Sequence, residues 1–335
     1  MEILIISLLV LMVFLAFGIG ANDETMATLV GSRAIKFKYA IILGSVLVFV
    51  GVLFLSASVG KTIGANLLGS EVEYNFFMMF SVLISTTIWL IVASQTGAPI
   101  STTHSVVGSV FGISIIWSIS EGKSFIVAVN WIKMGDVVLG WIISPILGFI
   151  GAYLFQLLVN KIIKRQQEGL VKLEKMEKIF MYLLIVAVSW TQISRGGNDS
   201  ANALGIMYGL IESGDLSSDY SLMLTVITGL VLSLGLMIVG KNVIRNVGQN
   251  LIEMIPSDAF SIQISTSIVI FLATLLGLPV SGSHILIFAV VGAGRVKGER
   301  PDKKSFRKMV LSWIITFPVA AILSALCYVL FLAIF

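Results

Sequence analysis

The sequence predicts an all-α integral membrane protein, built as an inverted-topology repeat with broken helices. Three observations predict it. The 335 residues are 57% hydrophobic and only 12% charged, about half the charged share of an average soluble domain. Apolar runs close to the length of a membrane-spanning helix recur along the whole chain. Short polar motifs inside those runs occur twice, in the same order. So few charges cannot cover a water-exposed globule of this size, which excludes a soluble enzyme. Disorder is excluded as well, because chains that stay unfolded in water are poor in apolar residues. Cys327 is the single cysteine, so neither an internal disulfide nor a multi-cysteine metal cage can form.

Ten segments follow from the apolar runs, at 3–30, 39–60, 76–95, 101–120, 131–159, 179–210, 220–240, 259–278, 283–295 and 309–335. The first begins after Glu2 and lacks the basic start of a signal peptide, so it is expected to be retained. Segments one and six carry Asn-Asp pairs, where a plain spanning helix would have Leu or Val. Segments three and four, and again eight and nine, are separated by Gly-x-Pro-x-Ser. Each of these pairs either crosses twice or dips in as a re-entrant hairpin, and both readings return the chain to the same side. Segments five and ten each carry one Trp-Ile-Ile run.

The charges orient the segments. Lys and Arg cluster after segment one (Arg33, Lys36, Lys38), between five and six (Lys161 to Lys178), after seven (Lys241, Arg245) and from Arg295 to Lys308, which holds eighteen of the 22. Cytoplasmic loops carry such an excess. Both termini are therefore expected outside, with 160–178 as a cytoplasmic linker between halves 1–159 and 179–335.

Those halves read alike. Asn22-Asp23 recurs as Asn198-Asp199; Gly97, Pro99, Ser101 and His104 recur as Gly277, Pro279, Ser281 and His284. Trp141-Ile-Ile has a looser echo in Trp313-Ile-Ile. Each half holds five segments, an odd number, so the halves enter the membrane from opposite sides. Inverted repeats with interrupted helices are a mark of secondary transporters, whose site lies near the midplane where the halves meet.

The chemistry of the motifs fits such a site. An ionised Asp at the centre of a spanning helix costs roughly 2.5–3.5 kcal/mol. The Gly, Ala and Asn around Asp23 and Asp199 let a helix unwind and turn carbonyls inward, giving hard oxygen ligands for Na⁺ or another hard cation. The same two carboxylates suit H⁺. Each Ser/Thr cluster after Gly-x-Pro starts a helix whose free N–H groups and macrodipole favour an anion. Either cluster alone would be plain capping about as often. Paired by inverted symmetry, they favour a small tetrahedral oxyanion. His104 and His284, the only histidines, are read first as structural hydrogen-bond donors, with metal ligation or proton relay as alternatives. Glu24 faces Ser200 in the repeat and is either a cation ligand or an ion-pair partner. Arg195, unmatched in the first half, is expected at the cytoplasmic end of a helix. A channel is disfavoured by the lack of a charge ring or filter, and a divalent-metal carrier would leave the Ser/Thr helix starts unused.

Gly-Ala-Asn-Asp at 20–23, Gly-Gly-Asn-Asp-Ser-Ala-Asn-Ala at 196–203, Gly-Ala-Pro-Ile-Ser-Thr-Thr-His at 97–104 and Leu-Pro-Val-Ser-Gly-Ser-His at 278–284 resemble the motifs of the inorganic phosphate transporter family. The resemblance spans both halves. It implies a non-enzymatic permease of the cell membrane that symports inorganic phosphate with Na⁺, or in some members H⁺. It also implies two re-entrant helical hairpins that hold substrate, and a homodimer. No cofactor beyond the co-transported ion and no nucleic-acid partner is expected. Carried over, Asn22, Asp23, Asn198 and Asp199 would serve the cation. Ser101, Thr102, Thr103, Ser105, Ser281, Gly282, Ser283 and Asn202 would serve phosphate, with His104, His284 and Glu24 in support. Sulfate and arsenate are the nearest rivals on substrate. The first half departs from the pattern, reading Asn-Asp-Glu-Thr-Met at 22–26, and Met26 cannot do what Asn202 does.

Overall fold

A computed structural model describes residues 2–96, 101–166, 169–250, 254–299 and 303–335. Gly97 and Pro99 of the first tip motif, and Arg300, lie outside the described residues. No strand occurs among those described. The first half holds α1 (Glu2–Ala21), α2 (Ala27–Gly31), α3 (Phe37–Lys61), α4 (Phe76–Thr96), α5 (Thr102–Ser120), α6 (Phe125–Ala128) and α7 (Trp131–Gln166). The second holds α8 (Leu170–Glu212), α9 (Ser221–Gly235), α10 (Lys241–Asn250), α11 (Pro256–Leu275), α12 (Gly282–Val296) and α13 (Lys303–Ile334). Eight helical stretches are long and apolar enough to cross a membrane, and Phe76–Val92 and Gly282–Val296 are shorter apolar helices. Each of the ten apolar segments thus corresponds to a helix.

Helix is the form these segments must take, because hydrocarbon offers no partner for backbone N–H and C=O groups. Pro145 and Pro318 sit inside α7 and α13 without ending them. On α7, Ile142, Ile143, Ile146 and Leu147 are exposed, as are Ile314, Ile315, Ile322 and Leu326 on α13. Such apolar faces on a chain with so few charges are where lipid tails belong.

The linker stretch is mostly helix. α7 runs on to Gln166 and α8 starts at Leu170, so the basic residues of 160–178 extend the two helices beyond their apolar lengths.

Segment one breaks where the motif predicts. α1 ends at Ala21, residues 22–26 turn without helix, and α2 resumes at Ala27. Segment six does not break. α8 runs unbroken through Asn198 and Asp199 for 43 residues, about 65 Å at 1.5 Å per residue. The expected unwinding at the second Asn-Asp pair is therefore corrected: the small residues there serve close packing. α8 lies between α3 and α11. Its polar face of Thr191, Gln192, Arg195, Asn198 and Asn202 is fully buried, and most of these side chains bond to neighbouring elements.

The helical hairpins α4–α5 and α11–α12 pack across the molecule. α5 lies on α13 and α12 lies on α7. The start of α5 and the turn at 276–281 come together beside Asn198 and Asn202 of α8.

Candidate functional site

The start of α5 touches the turn that precedes α12. Thr103 Oγ1 donates to the Val280 carbonyl at 3.2 Å. The Val280 N–H donates to Asn198 Oδ1 at 3.1 Å, and Asn198 Nδ2 donates to the Leu278 carbonyl at 2.9 Å and to Thr274 Oγ1 at 3.1 Å. Val280 of the second turn is thus held from both sides, by Thr103 and by Asn198. The side chain of Asn198, expected as a cation ligand, spends its amide on this turn.

The two histidines continue the junction. The His104 and His284 rings lie 4.9 Å apart, centroid to centroid. Trp141 stands against His104 at 3.9 Å, and Trp313 against His284 at 3.7 Å. Trp141 Nε1 also donates to the Pro279 carbonyl at 3.0 Å. The repeated histidines and the two echoed tryptophans therefore form one aromatic row between hairpins. Both ring nitrogens of His104, and Nε2 of His284, are buried with no hydrogen-bond partner among the described residues. The donor role first read for these two is accordingly not visible at those atoms.

The helix starts differ. Ser101 caps α5, accepting the His104 N–H at 3.3 Å, and Ser105 Oγ donates back to the Ser101 carbonyl at 3.0 Å. Thr102 is half-buried beside them. At α12 the Ser281 side chain makes no such cap, although it is buried. The first turn of α12, with Gly282 and Ser283, faces a side chain instead.

That side chain is Arg195. It was expected at a cytoplasmic helix end; the structure places it at the centre, with its side chain 9% exposed. Its Nε donates to Asp199 Oδ2 at 2.8 Å, and its two terminal nitrogens donate to Glu24 Oε1 and Oε2 at 2.9 and 3.2 Å. Thr25 Oγ1 at 3.2 Å and Ser283 Oγ at 3.3 Å complete its shell, with Asp23 Oδ1 at 3.6 Å. Gly282 permits this approach: a Cβ there would stand 2.9 Å from Arg195 Nε. Glu24 resolves as an ion-pair partner, and it also accepts from Ser283 Oγ at 2.7 Å.

Asp23 lies beside this pair. Thr25 donates to its Oδ1 through N–H at 2.9 Å and Oγ1 at 2.6 Å, while Gln192 Nε2 donates to Oδ2 at 2.6 Å. The bond from Thr25 N–H helps hold 22–26 in its non-helical turn, an Asx-type alternative to the next turn of α1. Asn22 is half-buried at the end of α1. Asn202 is fully buried; its Nδ2 donates to the Asp199 carbonyl at 3.0 Å and to Thr103 Oγ1 at 3.4 Å, while its Oδ1 has no partner among the described residues. Among those residues no group of three or more His, Cys, Asp or Glu is arranged to hold a metal ion.

The sequence reading overlooked Thr25, Gln192 and the central place of Arg195. Gln192 carried a signal, as an amide within an apolar run. Glu24 and Arg195 carried another, as the residues that break the internal symmetry of the motifs.

An apolar bundle that gathers one buried and two partly buried carboxylates around a buried guanidinium, where the start of α5 meets the turn before α12, has the build of a membrane transport protein. The chain belongs to the phosphate transporter family, whose profile matches residues 19–324. It is 29% identical to a protein of Thermococcus kodakarensis named "Putative phosphate permease", over 94% of each chain. A Rhizobium meliloti protein named "Probable low-affinity inorganic phosphate transporter" is 28% identical, covering 97% of this chain and 96% of its own. A solved structure titled "The sodium-dependent phosphate transporter" superposes over all of both chains, with a TM-score of 0.85 and 26% identity.

Proposed function

We propose that this protein imports inorganic phosphate by symport with cations, Na⁺ first among them, at the junction of the α5 start with the turn before α12. One observation carries the coupling. Asp23, Glu24 and Asp199 surround Arg195, and three carboxylates against one guanidinium leave two negative charges unbalanced when all are ionised. A buried, negatively charged site repels an anion unless cations enter with it. The inside-negative potential adds about 2.3 kcal/mol per charge per 100 mV against phosphate alone. Cations that outnumber the phosphate charge remove both barriers. The sodium dependence named in the structural neighbour's title favours Na⁺ over H⁺.

In this reading phosphate takes the start of α12, through Ser281, Gly282 and Ser283, and the facing start of α5, through Ser101, Thr102, Thr103 and Ser105. Asn202 stands beside the α5 start, at Thr103. Its buried amide oxygen is an acceptor and so suits a phosphate hydroxyl or a cation. Asn22, Asp23 and Asp199 serve the cations, and Asn198 holds the turn beside them. The crossed packing of α5 on α13 and α12 on α7 supports an inverted repeat with the hairpins dipping in, and the Lys/Arg distribution supports both termini outside.

The test is uptake of radiolabelled phosphate by proteoliposomes. A Na⁺ gradient should drive it, a K⁺ gradient should not, and Asp23→Asn or Asp199→Asn should abolish most of it. Uptake indifferent to Na⁺ and undiminished in both variants would refute the mechanism.

A further inference from the structure

We propose that Glu24 is a built-in stand-in for the transported oxyanion: its carboxylate holds the Arg195–Ser283 cradle until phosphate displaces it. The freed carboxylate then completes a cation site. This deepens the phosphate-symport reading and rests on it.

The first support is symmetry. Within the repeated Asn-Asp motifs, Glu24 stands opposite Ser200 and Arg195 opposite Ile19, at the offset that aligns Asn22-Asp23 with Asn198-Asp199. Two departures from one repeat, 171 residues apart, meet as partners.

The second is geometry. Glu24 takes both terminal nitrogens of Arg195 at 2.9 and 3.2 Å, and the Ser283 hydroxyl at 2.7 Å. A forked guanidinium, a serine hydroxyl and an uncapped helix start are the donors that a tetrahedral oxyanion takes. A carboxylate engages the same fork with the same two-oxygen face. The positive end of α12 and the guanidinium lie side by side, with Gly282 admitting the contact. Two positive groups so placed need an anion between them.

The third is the means to move. Arg195 and Asp199 sit on unbroken α8, whereas Glu24 sits in the non-helical stretch 22–26. Its side chain is 15% exposed. It can leave the cradle without unwinding a helix. Once displaced it lies next to Asp23, and two neighbouring carboxylates without a guanidinium between them call for a cation. Each phosphate that enters thereby creates demand for the ion that accompanies it.

The experiment uses the full chain in lipid nanodiscs, with radiolabelled phosphate binding measured with and without Na⁺, and uptake measured in proteoliposomes. Glu24→Gln keeps the shape of the side chain and removes the competing charge. Its phosphate affinity without Na⁺ should rise by about tenfold, the scale of one charge-assisted hydrogen bond, and added Na⁺ should strengthen binding less than in the wild type. Arg195→Gln should lose phosphate binding, with Arg195→Lys restoring part of it. If Arg195→Gln does not fold, Glu24→Gln carries the test alone. Phosphate affinity in Glu24→Gln that is unaltered or weaker, in a chain whose wild type takes up phosphate, overturns this inference and leaves the transporter reading standing. A wild type that takes up no phosphate removes that reading and this inference with it.

Discussion

Asn198 decides whether the Asn-Asp motif of α8 is scaffold or ligand. Replacing it by Ala removes three side-chain hydrogen bonds, to Leu278 O at 2.9 Å, Thr274 Oγ1 at 3.1 Å and from Val280 N–H at 3.1 Å. The residue is 1% exposed, so the Val280 N–H and the Leu278 carbonyl lose their partner in a place water reaches poorly. An orphaned buried group costs about 1–3 kcal/mol, and the two together about 3 kcal/mol once partial rehydration is allowed. Held by this side chain, the turn should open about a hundredfold more often without it. Amide hydrogen exchange followed by mass spectrometry on peptides covering 276–282 measures that opening directly. The expected result is faster exchange there, with α3 and α8 unaffected. Asn198→Asp keeps the acceptor for Val280 but sets a carboxylate against the Leu278 carbonyl, so it should be no better than Ala. Wild-type protection in Asn198→Ala, accompanied by weakened Na⁺ binding, would refute the scaffold argument and make Asn198 a direct cation ligand.

Trp141→Phe keeps an aromatic ring near His104 and removes the Nε1 bond to the Pro279 carbonyl. It should lower stability by about 1 kcal/mol, read as a modest fall in melting temperature, whereas Trp141→Ala should cost more by opening the aromatic row. A pH effect follows from Lys297, just past α12. Burial alone would lower its ammonium, but the hydrogen bond and charge of Asp258 outweigh it, with a smaller contribution from Glu299, and hold it above the ordinary lysine range. A raised folded-state value gives stability that is complete below the unfolded value and is lost as pH climbs through the folded one. The melting temperature of the wild type should therefore fall through the alkaline range above about pH 10, and Lys297→Met should lack that part of the fall.

Much of the molecule was legible before any coordinate. Scarce charges and recurring apolar runs lead to a helical membrane protein, because hydrocarbon permits a single-chain segment few other forms. The doubled Asn-Asp and Pro-x-Ser-x-x-His motifs located the turns and polar stretches that meet at the site. The Trp-Ile-Ile echo marked the two tryptophans that pack against the histidines. These features are local or periodic, so they survive in one dimension.

What the tertiary structure alone decided depends on distances between residues far apart in the chain. Local composition made helix breaks equally plausible at both Asn-Asp pairs. Only the first opens, where Thr25 turns back onto Asp23. The second stays helical because the polar face of α8 finds most of its partners on other elements, in Thr103, Gln263, Thr274 and the Leu278 carbonyl. Arg195 next to a run of glycines read as a helix end, yet it is buried because Asp23, Glu24 and Asp199 compensate its charge. A charge can be buried only where opposite charges surround it, and which charges surround it is settled by how helices pack, not by their order along the chain.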